Sequence, residues 1–266
     1  MDVNNLSWLE VYVEEPIKHI ETNDTGWDHQ VYIINQRWIL RVPRNKRRIP
    51  KEEGKLLKDL LAKTTVALPT WRVCTTADGR EGMLYPYIPG RPIHARMSES
   101  DLKQAARQLG SFLTELHRVT VTYKLPRRDK TYYDRFLNQI RTFYPKLPAG
   151  AADYTEQLFN NYQPVCSTVV HGDLRPAHLL VEQPFRKLGV LDFSDMHIGD
   201  PAIDFAGTAQ VSKEFMELVL ENYKGEEKNV IRQRVTMLSK LSLYYQLLER
   251  GPASYVLAEL ERQITT

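Results

Sequence analysis

The stretch VVHGDLRPAHLLV, residues 169–181, sets four ionisable side chains between two apolar runs. The flanking runs read as short strands, so His171, Asp173, Arg175 and His178 must share one tight loop with Pro176 in its middle. A further apolar run, LGVLDF (188–193), contains Asp192 near its end, and with HLLV it reads as a small hairpin around Pro184. Eighteen residues separate Asp173 from Asp192, room for the chain to return to where it began. A carboxylate at the end of a strand then points out of its sheet toward the carboxylate of the loop.

Upstream, the first third of the chain has the character of strands. VYIINQRWILRV (31–42) reads as a hairpin about Asn35-Gln36, and WRVCTTADGREGMLYPYI (71–88) as another with Asp78-Gly79 at its turn. Between them KEEGKLLKDLLAK (51–63) gathers Leu56, Leu57, Leu60 and Leu61 on one helical face. IPGRP (88–92) breaks the pattern and reads as a connector. Helical periodicity follows. Residues 98–119 open with Ser98 and Asp101 in capping-box spacing and continue with Leu102, Ala105, Leu109, Phe112, Leu113 and Leu116 as an apolar stripe. From Pro201 onward the reading is mostly helix. The expected fold is therefore α+β and bilobal. A small β-rich lobe (1–89) precedes a larger, mainly helical lobe (90–266), with a ligand cleft at their junction.

Composition narrows the function. A net charge of +3 is too small to imply nucleic acid, and the basic run RVPRNKRRIPK (41–51) lacks interleaved aromatics beyond Trp38, so it reads as a solvated loop. Cys74 and Cys166 lie far apart, as suits a reducing compartment. No stretch approaches the roughly 20 apolar residues of a membrane helix, and the acidic N-terminal segment lacks signal-peptide character. The expectation is a cytoplasmic protein without nucleic-acid or membrane partners. Oligomeric state is not legible.

Asp173 and His178 follow the H-x-D-L-x-P-x-[ligand] spacing of a kinase catalytic loop, and Asp192 takes the position of the aspartate in a D-F-G segment, here Asp192-Phe193-Ser194. Phosphoryl transfer needs such a pair, because its loose transition state is served by positioning a hydroxyl and neutralising phosphate charge. Either motif alone is weak. The two in order, downstream of a strand-rich region, point to one chemistry.

The segments HGDLRPAHLLV and GVLDFSDMHIGDPAIDFA, with TGWDHQVYIINQRWILRVPR upstream, resemble the antibiotic phosphotransferase family, the kinase-like enzymes that inactivate aminoglycosides and macrolides. The resemblance covers roughly residues 20 to 210 and is nearest the branch of macrolide 2′- and aminoglycoside 2″-phosphotransferases. It implies a magnesium-dependent kinase using ATP or GTP on a small-molecule hydroxyl. Asp173 would be the catalytic aspartate, Asp192 the main metal ligand and His178 the second, where many members have asparagine. Arg41 would replace the strand lysine that meets the donor phosphates, held by Glu53 or Glu52. The turn around Gly26 would replace the glycine-rich loop, and Tyr85, Tyr87 and Ile88 would form the hinge against the nucleotide base.

Other residues carry plainer expectations. His171 reads as a buried scaffold residue, Asp200 as a cap before Pro201, and Asp204 as a tie between its helix and the catalytic loop. Tyr132-Tyr133 and Tyr244-Tyr245 read as helix core, and His94, His117 and His197 show no metal-type spacing. Arg127, Arg128, Lys130, Arg135 and Arg141 outnumber Asp129 and Asp134, which favours a macrolide over a polycationic aminoglycoside. Two other readings stand beside this one: a kinase of a housekeeping amino alcohol or sugar, and a nucleotide-binding module without transfer, for which Ser194 and Arg41 in place of glycine and lysine are the support.

Overall fold

Asn35 (φ 51°) and Gln36 (φ 54°) both adopt left-handed backbone, and this turn folds the first hairpin back on itself. The Asn35 side chain fixes the segment before the sheet: its Oδ1 accepts from the Lys18 and His19 N–H groups and its Nδ2 donates to the Pro16 carbonyl. In this computed structural model residues 7–23, 29–44 and 49–265 are described. After helix α1 (Ser7–Val13) come β1 (Ile20–Asn23), β2 (His29–Ile34) and β3 (Trp38–Pro43). Helix α2 (Lys51–Leu61) precedes β4 (Arg72–Thr75) and β5 (Glu81–Pro86), and the strands form one antiparallel sheet in the order β1-β2-β3-β5-β4.

Strand alternation sorts this sheet into two faces. Tyr32, Ile34, Leu40, Val42 and Leu84 are fully buried and form a cluster with Leu9 and Val13 of α1. The register pairs Val31 with Arg41, Arg41 with Met83 and Ile39 with Tyr85, so these residues share the opposite face, which looks into the cleft. Arg41 is buried on that face by the strand period alone.

On α2, Leu56, Leu57 and Leu60 are fully buried, but Leu61 is half exposed. At about 100° per residue Leu61 lies at the rim of the apolar arc, whereas Glu53 falls near its middle. The three leucines join the larger core with Val66, Leu68 and the long helix that follows. Beside them Ala67 N–H donates to the Leu188 carbonyl (2.7 Å) and Ala67 O accepts from Val190 N–H (2.9 Å), so the segment between α2 and β4 pairs with a strand of the second lobe.

The segment at 88–92 is more than a connector: β6 (Arg91–Pro92) pairs antiparallel with the strand at Leu180–Val181. Helix α3 (Glu99–Arg118) starts at Ser98, whose Oγ accepts from Asp101 N–H, and buries Ala105, Leu109, Phe112, Leu113 and Leu116 while Leu102 stays at the edge. There follow α4 (Lys130–Arg141), α5 (Ala151–Asn161), β7 (Thr168–Val170), β8 (Leu179–Val181), β9 (Leu188–Val190) and β10 (His197–Gly199). Helices α6 (Ala202–Thr208), α7 (Lys213–Glu221), α8 (Lys228–Arg250) and α9 (Ser254–Thr265) complete the chain. β6-β8-β9 form one small sheet, with the expected β8–β9 hairpin, and β7-β10 another. No helix of the described residues is long and apolar enough to cross a membrane.

Helices α3 and α7 approach closely at Gly110, where an added Cβ would lie 2.5 Å from the Val219 carbonyl oxygen. Gly110→Ala is therefore expected to cost about 1–3 kcal/mol and to lower the melting temperature by several degrees, measured by calorimetry. An unchanged melting temperature would show that this contact relaxes freely.

Candidate active site

The loop between β7 and β8 is held from below by one carboxylate. Asp204 is fully buried at the start of α6; its Oδ2 accepts from His171 N–H (3.0 Å) and its Oδ1 from Gly172 N–H (2.9 Å). His117 of α3 donates Nε2–H to Asp204 (3.0 Å) while its Nδ1 meets the Tyr223 hydroxyl (2.8 Å). Burial alone would raise the Asp204 carboxyl, but the His117 bond and charge and the Gly172 amide hold it below the usual carboxylate range. Two glycines make this packing possible. Gly172 (φ 85°) has no room for a Cβ against the Asp195 carbonyl oxygen (2.5 Å), and Gly207 lets α6 approach the Leu174 carbonyl, 2.4 Å from an added Cβ. His171, fully buried, donates Nε2–H to the Leu191 carbonyl (2.8 Å) and so ties the loop to the segment carrying Asp192. Burial pushes its pKa down, which keeps the ring neutral.

On this scaffold Asp173 and Asp192 converge. His178 donates Nδ1–H to the Asp173 carbonyl (2.7 Å), with Asp173 Oδ2 at 3.5 Å, and turns its Nε2 toward Asp192 Oδ2 at 3.7 Å. The Nδ1 bond orients the ring, so Nε2 is the atom that faces the Asp192 carboxylate. Arg175 Nε pairs with Asp173 Oδ2 at 3.1 Å. Burial raises the Asp173 carboxyl above its ordinary value against the pull of His178 and Arg175, and the nearby Asp195 charge adds to the rise.

Asp192 takes the left-handed region (φ 60°) that a side chain seldom occupies, immediately after the β9 run. Burial would raise its carboxyl too, but Arg41 and His178 hold it well below the usual range. Arg41 reaches it across the cleft, NH2 to Oδ1 at 3.3 Å, and lies 3.8 Å from Glu53 Oε1. Glu53, rather than Glu52, is the buried partner of Arg41, because it sits inside the apolar arc of α2 and also accepts from Trp71 Nε1–H (3.3 Å). Burial raises Glu53, opposed by Arg41; Arg41 itself stays charged, since Asp192, Tyr85 and Glu53 outweigh its desolvation. Ser194 stands in the glycine's place and donates its hydroxyl to Asp192 Oδ1 at 2.8 Å. The left-handed backbone falls on Asp192 and not on Ser194, so no glycine is required there.

At the hinge, Tyr85 is buried beside Arg41 with its hydroxyl pushed up to about 12 by burial. The Tyr87 N–H already donates to the Arg37 carbonyl (2.7 Å), so that donor is not free for a base. With Glu21, Ile33, Gln36, Arg37 and Pro89, Tyr87 lines a cavity of about 540 Å³ at the outer end of the cleft face. Ile88 packs on Gly189 of β9, where an added Cβ would come within 2.6 Å of its Cγ2. Gly26 and residues 45–48 of the basic run lie outside the described residues.

Several site features had no signal of their own in the sequence. Tyr133 and Tyr244 are core, but Tyr132 and Tyr245 are only half buried, and Arg128 lies between their rings at 5.3 Å from each centroid. Arg128 also binds Asp195 (2.9 Å), three residues after Asp192. Three of the basic groups counted against a polycation are paired with carboxylates, Arg128 with Asp195, Lys130 with Asp134 and Arg141 with Glu156. Asp200 accepts from Ala202 N–H at the start of α6 and also pairs with Arg234 of α8, two helices later in the chain.

Two lobes, with a carboxylate loop facing a strand-ending aspartate and a buried cation across the cleft between them, define a kinase-like phosphotransferase. A model of the phosphotransferase enzyme family matches residues 19–234, and the chain belongs to that family. Its members transfer phosphate from a nucleotide to hydroxyl acceptors. An uncharacterized protein of Bacillus subtilis, YcbJ, is 26% identical over 230 residues, covering 71% of this chain and 69% of that protein. A GDP and kanamycin complex of an aminoglycoside 2″-phosphotransferase superposes with a TM-score of 0.80 at 19% identity, over 99% of this chain and 98% of that one. A macrolide 2′-phosphotransferase of Brachybacterium faecium superposes with a TM-score of 0.70 at 24% identity, over 97% of both chains.

Asp204→Asn offers the His171 and Gly172 amides and the His117 ring one acceptor oxygen in place of two. It is expected to cost about 1–3 kcal/mol. Because the folded pKa is depressed, the carboxylate's contribution is complete above the unfolded value and lost as pH falls through the folded one. The gap between wild type and variant in urea unfolding should therefore be constant near neutrality and close below about pH 4. A gap independent of pH would remove the carboxylate from this role.

Proposed function

We propose that the chain transfers the γ-phosphoryl group of ATP or GTP, with magnesium, to a hydroxyl of an antibiotic, a macrolide in preference to an aminoglycoside. One observation carries the reading: Asp173 and Asp192, from separate segments, both face His178, at 3.5 and 3.7 Å. The donor would enter between a first lobe spanning residues 1–89 and a second spanning 90–266, its base toward the cavity at Tyr87 and its phosphates toward Arg41. Relatives whose complexes hold GDP with kanamycin, or ATP with streptomycin, support a nucleotide donor and an antibiotic acceptor.

Asp173 orients the acceptor hydroxyl and takes its proton as the oxygen bonds to the γ-phosphorus and the bond to the β-bridging oxygen breaks. Arg41, kept charged and aimed by Glu53, neutralises the donor phosphates from the strand side. Among the described residues no three His, Cys, Asp or Glu side chains form a metal cage. The carboxylate of Asp192 and the Nε2 lone pair of His178 fit magnesium as two protein ligands, with phosphate oxygens and water as the rest. Bound there, the ion would neutralise charge on the phosphates. The preference for a macrolide rests on Arg128, a cation held beside the catalytic segment.

Asp173→Ala is expected to lower kcat by about 10²–10⁴-fold while leaving nucleotide affinity by calorimetry nearly unchanged; a wild type that binds nucleotide and never turns over would instead establish a binding module. Chelation of magnesium should abolish transfer and its return restore it. Turnover of erythromycin-type and kanamycin-type acceptors, measured side by side, decides the acceptor, and kanamycin turnover alone would reverse the preference.

A further inference from the structure

Arg128 is held against Asp195, three residues after Asp192. Its guanidinium is sandwiched between Tyr132 and Tyr245, with only 15% of the side chain exposed, and the two hydroxyls approach each other at 3.5 Å. Such a cation is costly to move, because both rings and an ion pair would be lost together. The backbone N–H of Arg128 donates to the Ile198 carbonyl, so the residue is fixed at main chain and side chain alike.

The partner is equally placed. Asp195 offers Oδ1 to Arg128 at 2.9 Å and remains half exposed. Its carbonyl oxygen abuts Gly172, next to Asp173, and its charge reaches the Asp173 carboxyl. Asp195 therefore stands near the place where a hydroxyl on Asp173 would carry its neighbouring substituents. Arg128 pairs with Oδ1, and the half-exposed carboxylate stays open to a further partner.

We propose that Arg128 is a specificity-determining residue, a built-in counter-cation that leaves Asp195 able to pair with a single ammonium group beside the acceptor hydroxyl and that repels acceptors carrying several. The assignment rests on the reading that Asp173 and Asp192 form the transfer site. It acts through Asp195 and through its own fixed charge, not through the phosphates. An acceptor with one amine next to its reactive hydroxyl meets a half-neutralised carboxylate; a polycation meets Arg128 as well, at a cost that like charges impose on wrong partners.

The test compares kcat/KM for an erythromycin-type monoamine and a kanamycin-type polyamine in wild type, Arg128→Gln and Arg128→Lys, with KM for the nucleotide as a control on the donor site. Arg128→Gln should shift the ratio toward the polyamine by about tenfold or more, with nucleotide KM unchanged, and Arg128→Lys should return it toward wild type. An unchanged ratio, or an equal loss for both acceptors, overturns the assignment. If Arg128→Gln does not fold, Asp195→Asn decides: a raised KM for the monoamine with unaltered nucleotide KM supports the assignment, and wild-type values overturn it. A wild type that uses neither acceptor overturns the antibiotic reading and this assignment together, whereas a macrolide-selective wild type with an unmoved ratio overturns the assignment alone.

Discussion

A single buried carboxylate organises the loop that carries Asp173 and His178. Asp204 accepts from two consecutive main-chain amides of the loop and from the His117 ring, so three elements distant in sequence share one anion. A buried charge is tolerable only when its hydrogen-bonding capacity is filled, and here filling it dictates the loop's conformation. Gly172 and Gly207 follow from the same demand, since neither approach leaves space for a side chain. With the loop fixed, Asp173 and His178 are displayed on one side and His171 reaches back to the Leu191 carbonyl next to Asp192. Preorganisation of this kind is what phosphoryl transfer requires of its protein, because little covalent chemistry is left for side chains to perform.

The second constraint is the placing of charge across the cleft. Arg41 is buried by the alternation of β3 and Glu53 by the helical period of α2, while Asp192, just past β9, is partly buried. Each is expensive alone, and together they form an anion–cation–anion chain linking both lobes. Arginine in place of lysine suits this arrangement, since its fork addresses Glu53 and Asp192 from different nitrogens. Ser194 adds a hydroxyl to Asp192 that a glycine has no means to supply.

Much of this was legible in the residues. Turn chemistry at Asn35-Gln36 and Asp78-Gly79, apolar runs flanking the loop and the leucine spacing of α2 and α3 are local signals, and the elements formed where they pointed. The tie from Asp204 to the catalytic loop also followed from its place in the motif. Pairing between remote residues left no such trace. Nothing near Arg128 in the sequence names Asp195, and nothing near His117 names Asp204; both pairs depend on how helices stack. The half-exposed Tyr132 and Tyr245 were hidden for a related reason, because helical period tells which residues share a face but not whether a cation stands on it. Leu61 shows the same limit at the rim of a helical face, where the core that covers Leu60 no longer reaches.

The stitch between Ala67 and the strand at Leu188–Val190 bears on how the molecule moves. The chain passes between the lobes through residues 86–91, and Ala67, which lies within the first lobe, is hydrogen-bonded into the far sheet as a second tether. Two tethers define a line, and a body attached along a line turns about it like a door rather than wobbling about a point. An opening at Arg41 that kept both tethers would have to turn about that line.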